Sequence, residues 1–246
     1  MKLAWLQNKI FAGIVLLCAT QVALADSVVV LGEQLTNGGF TTLSSWDTSG
    51  SVVTRGPFDT INTNGGNAGF NSYFSSGFVS LGDNVGGIGG PPTTDISSLS
   101  QTFVLSSSVG TGSVSSYDLS ISFASVFDGD DSSNSTHDVY SVSLNGVTFF
   151  TQDSAPLADC GISTGCPDYQ VVLDPYSITF TGLEAGTYTL TFTLVESGLN
   201  GGSTTNTAVG IDNASVIATA HVPEPATVAL LGLGLLGLAW RKTRQS

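Results

Sequence analysis

The chain has 246 residues, only 10% of them charged, and its 19 acidic residues outnumber 6 Lys and Arg for a formal net charge of −13. All the acids except Glu224 lie between 26 and 221, where Arg55 is the single basic side chain. Such a polyanion excludes nucleic acid and anionic lipid surfaces as partners of that segment, and ion pairs cannot be a main source of its stability.

The first residues read as an export address. Lys2 and Lys9 mark a basic region, Ile10 to Ala19 is a short apolar run, and Ala23-Leu24-Ala25 is an A-x-A site. The pattern predicts a signal helix over 1–25, removed by signal peptidase before Asp26. Cys18 raises lipid anchoring, but the bulky Leu17 before it argues against a lipobox.

Between 26 and 220 the dominant period is two. Leu119, Ile121 and Phe123 alternate with Ser120, Ser122 and Ala124. Tyr140, Val142 and Leu144 alternate with Ser141 and Ser143, and Tyr188, Leu190, Phe192 and Leu194 with Thr187, Thr189, Thr191 and Thr193. Each run predicts a strand with one face in a core and one in water. Asn145-Gly146 predicts a two-residue hairpin into Val147-Thr148-Phe149-Phe150, because a type I′ turn needs positive φ twice. Glu184-Ala185-Gly186 predicts a similar turn before the threonine run. Short strands and Gly-rich turns give an all-β, antiparallel β-sandwich. A row of outward threonines would order water, yet one strand is not a surface, and Thr on a wet strand face is ordinary.

Two segments carry a resemblance. Leu35-Thr36-Asn37-Gly38-Gly39-Phe40 followed by Trp46, and Val209-Gly210-Ile211-Asp212-Asn213-Ala214-Ser215-Val216, are similar to the opening and closing strands of carbohydrate-binding and galactose-binding-like modules. The resemblance implies a jelly roll whose first and last strands pair, bringing Asn37 near Asp212. It also implies a structural calcium there, using an acid after the Phe and the closing Asp. Here Thr41 follows Phe40, so one anionic ligand is missing. Other calcium candidates are Asp128, Asp130 and Asp131, in an Asp- and Asn-rich stretch ending at Asp138 that lacks EF-hand spacing. No other cofactor is expected. Cys160 and Cys166 are predicted to form a disulfide in an oxidising compartment. Trp46, Tyr73 and Tyr169 are candidates to stack on sugar rings.

Catalysis has little support. His137 and His221 are the only histidines. A Ser-His-Asp triad would have to use His137, and no carboxylate pair of the glycosidase type stands out.

The end of the chain is a second address. Pro223-Glu224-Pro225 bars a helix from crossing it. Ala226 to Trp240 follows without a charge, and then Arg241, Lys242 and Arg244. As a helix those 15 residues span ~22 Å, short of the ~30 Å hydrocarbon core unless the basic residues snorkel. A transmembrane helix with a cytoplasmic C-terminus is the expectation. Gly232-Leu233-Gly234-Leu235-Leu236-Gly237 matches a dinucleotide fingerprint, but no preceding strand or following βαβ unit accompanies it.

Pro223 to Arg244 resembles the PEP-CTERM sorting signal of Gram-negative bacteria. That resemblance implies recognition and cleavage by an exosortase, a transient stay in the inner membrane, and delivery to the surface or matrix of cells that make exopolysaccharide and biofilm. The expected organisation is a signal peptide over 1–25, an ectodomain over 26–220 and a sorting signal over 221–246. The expected function is a non-enzymatic surface or matrix component. The alternatives are a carbohydrate-binding module that retains exopolysaccharide, or a secreted hydrolase.

Overall fold

The computed structural model describes residues 26–57, 61–63, 66–68, 74, 76–82, 94–128, 138–153, 169–197, 208–224 and 232–235. The strands are β1 (Asp26–Glu33), β2 (Asp47–Ser49), β3 (Val52–Arg55), β4 (Ile61–Thr63), β5 (Gly66–Ala68), β6 (Phe78–Leu81), β7 (Thr94–Leu105) and β8 (Ser108–Val109). They continue with β9 (Gly112–Ser113), β10 (Ser116–Asp128), β11 (Val139–Leu144), β12 (Val147–Asp153), β13 (Tyr169–Leu183), β14 (Gly186–Ser197) and β15 (Ala208–Pro223).

They form two main antiparallel sheets. Sheet A has the order β13-β10-β15-β6-β3, with β1 also on β15; sheet B has the order β12-β11-β14-β7-β2. Two short hairpins, β4-β5 and β8-β9, form separate two-stranded sheets, and Val109 of β8 packs against the core. The inward residues of both sheets make one core. Leu119, Ile121 and Phe123 of sheet A and Leu190, Phe192 and Leu194 of sheet B are fully buried in it. Phe123 sits edge-on to Phe192 at 5.4 Å, joining the sheets. Each such ring contributes about 1.5–3 kcal/mol by burial.

Along one side, the edge strands β12 and β13 close the sandwich with aromatic rings. Phe149 packs on Tyr176 and Phe180, and Phe150 lies 4.7 Å from Tyr176.

The Asn145-Gly146 hairpin forms as expected. Both residues have positive φ, 50° and 77°, and Leu144 faces Val147. Asn145 ties the turn to the neighbouring strand, its Oδ1 accepting the Thr189 N–H at 2.8 Å.

Three expectations change. The turn before the threonine strand is not a hairpin, since β13 belongs to sheet A and β14 to sheet B. Chain reversal here changes layer, with Gly182 at φ 71° and its N–H on Asp118 Oδ1. Ala124 is buried, not wet. Phe123 opposes two residues of β15, Asn213 and Ala214, and Asn213 takes φ 53°. This bulge precedes a stretch of β10 that is covered on both faces: Ala124 and Val126 meet Phe74, Phe78 and Ala208 in a second small core on the outer side of sheet A. Third, His221, Val222 and Pro223 are strand residues of the sandwich, so β15 runs into the expected sorting signal.

Residues 1–25, including Ala23 and Ala25, lie outside the described residues. The only described helix, 232–235, falls within the expected span, and among the described residues no helix is long and apolar enough to cross a membrane.

Candidate functional site

The first and last strands pair as expected. The β1–β15 ladder runs from Asp26↔Pro223 to Glu33↔Ile217. Beyond β1 the chain continues along β15, the Gln34 N–H reaching Val216 O at 2.8 Å and the Ala214 N–H reaching Gly38 O at 3.0 Å. Only glycine fits at 38: a Cβ there would lie 1.7 Å from Ala214 O.

The turn therefore rests beside Ala214, two residues from Asp212, but Asn37 and Asp212 hold separate partners. Asn37 Oδ1 accepts the Thr41 N–H and hydroxyl at 3.2 and 2.7 Å, and its Nδ2 donates to Thr42. Asp212 is 2% exposed. It accepts the Ser76 hydroxyl at 2.9 Å, the Asn213 N–H at 2.7 Å and the Asn213 amide at 3.1 Å. Burial raises its carboxyl above the usual range, and those bonds offset part of the shift. No group of three or more His, Cys, Asp or Glu side chains that could hold a metal occurs among the described residues.

Asp128 ends β10, its backbone opposite Tyr169 and Ala208. Asp130, Asp131, Tyr73, Cys160, Cys166, Pro225, Arg241, Lys242 and Arg244 lie outside the described residues, as does the side chain of Tyr169. Asp138, from the same acidic stretch, is described and buried.

Trp46 is a core residue, which corrects its reading as a sugar platform. It is 6% exposed, sits 5.1 Å from Phe40 and 6.2 Å from Phe192, and donates its indole N–H to Asn37 O. Its ring faces are taken by protein, so none is left for a ligand.

Two residues without any sequence motif hold this corner together. Gln101 of sheet B donates to Thr36 O at 2.9 Å and Ser45 O at 3.0 Å, and its Oε1 accepts the Thr36 N–H at 2.6 Å. The Glu33 carboxylate accepts the N–H groups of Gln34, Leu35 and Val216, and also the Ser215 hydroxyl. It ties the end of β1 to β15.

His221 has a carboxylate partner that sequence reading missed. Its Nε2 donates to Asp118 Oδ2 at 3.0 Å, on the outer face of sheet A. That bond, with a smaller share from the Gly182 N–H, lowers the Asp118 pKa against partial desolvation. The pair has no nucleophile in reach among the described contacts: the nearby Ser115 hydroxyl donates to the backbone oxygen of His221.

The outer face of sheet B is of a different kind. Pairing registers align two rows across all five strands. One is Thr151, Ser141, Thr193, Ser98 and Ser49; the other is Thr148, Ser143, Thr191, Ser100 and Asp47. Thr102 and Thr189 extend the array, their hydroxyls 2.9 Å apart. The threonine strand is thus the centre of a hydroxyl surface. The signal was present in sequence, as Ser or Thr at alternate positions of β7, β11 and β14.

Comparison with known proteins agrees with the reading of the tail. Residues 221–245 match the PEP-CTERM protein-sorting motif. No curated protein matches the chain. Among solved structures, TmCBM61 in complex with beta-1,4-galactotriose is 14% identical at a TM-score of 0.39, with 75% of this chain and 97% of that one covered. The K1 cleaved adhesin domain of Lys-gingipain from Porphyromonas gingivalis W83 is 14% identical at 0.37, covering 78% and 97%. A family 35 carbohydrate-binding module from Clostridium thermocellum is 12% identical at 0.28, covering 78% and 97%. Likeness at this distance carries no functional conclusion. The chain carries a PEP-CTERM sorting motif at its C-terminal end, the mark of an exported protein sorted to the cell surface by way of the membrane.

Proposed function

We propose that this chain is a non-catalytic component of the cell surface or extracellular matrix that retains uncharged exopolysaccharide on the outer face of sheet B. The observation that carries this reading is a Ser/Thr row crossing five strands beside a second that crosses four and ends at Asp47. Hydroxyls in such a grid recur about 4.8 Å across strands and about 6.8 Å along them. A single hydroxyl contact scarcely outcompetes water. Many in register add up against a polymer that repeats its own hydroxyls. The anionic balance of the chain disfavours acidic polymers on the same face. Sorting would place that face outside the cell after an exosortase has acted on the tail.

The test is co-sedimentation of the surface-released protein with neutral and acidic polysaccharides from the host matrix. Retention on neutral polymers, insensitive to salt, is expected. Equal recovery in the supernatant with every polymer would return the protein to a purely structural role. Turnover of glycoside or ester substrates would overturn the non-catalytic reading.

A further inference from the structure

The ladder between the first and last strands has an uneven end. The β10–β15 pairing stops at Ser116↔His221, with the Ser115 N–H closing on His221 O at 2.8 Å. Among the described pairings, Val222 and Pro223 are held by β1 alone, opposite Ser27 and Asp26. Val222 is buried, its side chain so close to Gly112 that a Cβ there would meet it at 2.5 Å. Pro223 is exposed and Glu224 half-buried. At its other end β1 is tied down by the Glu33 carboxylate, and Val29 and Leu31 pack on the core.

We infer that β1 sets the boundary at which the sorting machinery can act, making Glu224 the first residue free to enter it. This rests on the sorting reading of the tail. An enzyme that cuts a chain binds it extended, through backbone N–H and C=O groups. As far as Pro223 the segment sits in the ladder, so binding there requires β1 to peel away. Release of the tail hydrolyses one peptide bond: the acyl carbon takes the hydroxyl of water, and the amine of the departing tail takes the proton. With β1 docked, that bond lies C-terminal to Pro223, and the product keeps its last strand whole. The expected mature N-terminus, Asp26, is itself the final rung, so a residue freed by the first processing step positions the second.

The experiment uses the full chain in a host that carries the sorting machinery. Intact mass gives the C-terminus of the released protein for wild type, Leu31→Asp and Glu33→Ala, with hydrogen exchange at Val222 reporting whether β1 is docked. The wild-type product should end at Pro223 or later. Variants with unprotected Val222 should give ends shifted to Val222 or earlier. Glu33→Ala keeps every apolar contact of β1, so it serves where Leu31→Asp fails to fold. A wild-type end before Pro223, or an unshifted end in a variant whose Val222 exchanges freely, overturns the inference while leaving sorting intact. A wild-type chain that stays unprocessed overturns the sorting reading itself.

Discussion

The two sheets share a core but use their outer faces differently. Sheet A carries the first and last strands, β1 and β15, the Asp118–His221 pair and the small core under Phe74 and Phe78. Its outer serines, such as Ser120 and Ser122, are broken up by Ile217, by the Asp118–His221 hydrogen bond and by the exposed valines Val28 and Val30 of β1. Sheet B buries its inner face, and the middle of its outer face is a grid of hydroxyls flanked by the exposed Ile96 and Val104 of β7. The same Ser/Thr alternation therefore has two outcomes. In sheet A it fills gaps between other side chains. In sheet B it forms a surface.

Predictions that break or sharpen this contrast run from the shared core outward. Phe192→Ala removes the ring that meets both Phe123 and Trp46. It should cost about 3–5 kcal/mol in denaturant unfolding and melt both sheets together. A separate, smaller transition for sheet A would show that the sheets are not one cooperative unit. Gln101→Ala strands the backbone groups of Thr36 and Ser45 at the corner where the sheets meet. The expected loss is about 1–3 kcal/mol, read from the shift in denaturation midpoint.

The Asp212 effect depends on pH and belongs to sheet A alone. Its folded pKa is raised, so the native state binds the proton more tightly than the unfolded chain. Stability from this group therefore falls as pH rises above the unfolded carboxylate pKa of about 3.9. Asp212→Asn should match wild type in acid and gain relative stability towards neutral pH. A wild-type advantage that grows with pH would mean that the carboxylate has a stabilising cation partner.

Tyr140→Phe should have the smallest effect. Among the described residues, the buried Tyr140 hydroxyl, Ser125 hydroxyl and Gln152 Oε1 meet no hydrogen-bond partner. Burial raises the Tyr140 pKa well above its usual value. The change should shift unfolding free energy by less than about 1 kcal/mol. A larger loss would show that an internal water bridges these groups.

The local elements were legible in the sequence, because period two reports which face of a strand is wet. Tyr140, Val142 and Leu144 are buried and Ser141 and Ser143 are not, and Asn145-Gly146 turned as its positive φ values require. Periodicity does not report partners. That Glu184 and Gly186 connect two layers, and that Thr191 lies between Ser100 and Ser143, depends on register across distant strands. Trp46 could not be placed from its neighbours in sequence, since Phe192, which covers it, comes from the far end of the chain. Gln101 and Glu33 were invisible for a similar reason: their partners are backbone groups 65 and 183 residues away.

The most direct test places charges on each sheet in turn. Thr191→Glu with Thr193→Glu puts two carboxylates at the centre of the hydroxyl rows, and Ser120→Glu with Ser122→Glu does so on sheet A. Retention of neutral matrix polysaccharide should fall about tenfold or more, ~1.4 kcal/mol, for the sheet B pair only, with both proteins melting like wild type. Equal retention by the two variants would contradict the assignment of sheet B as the working face.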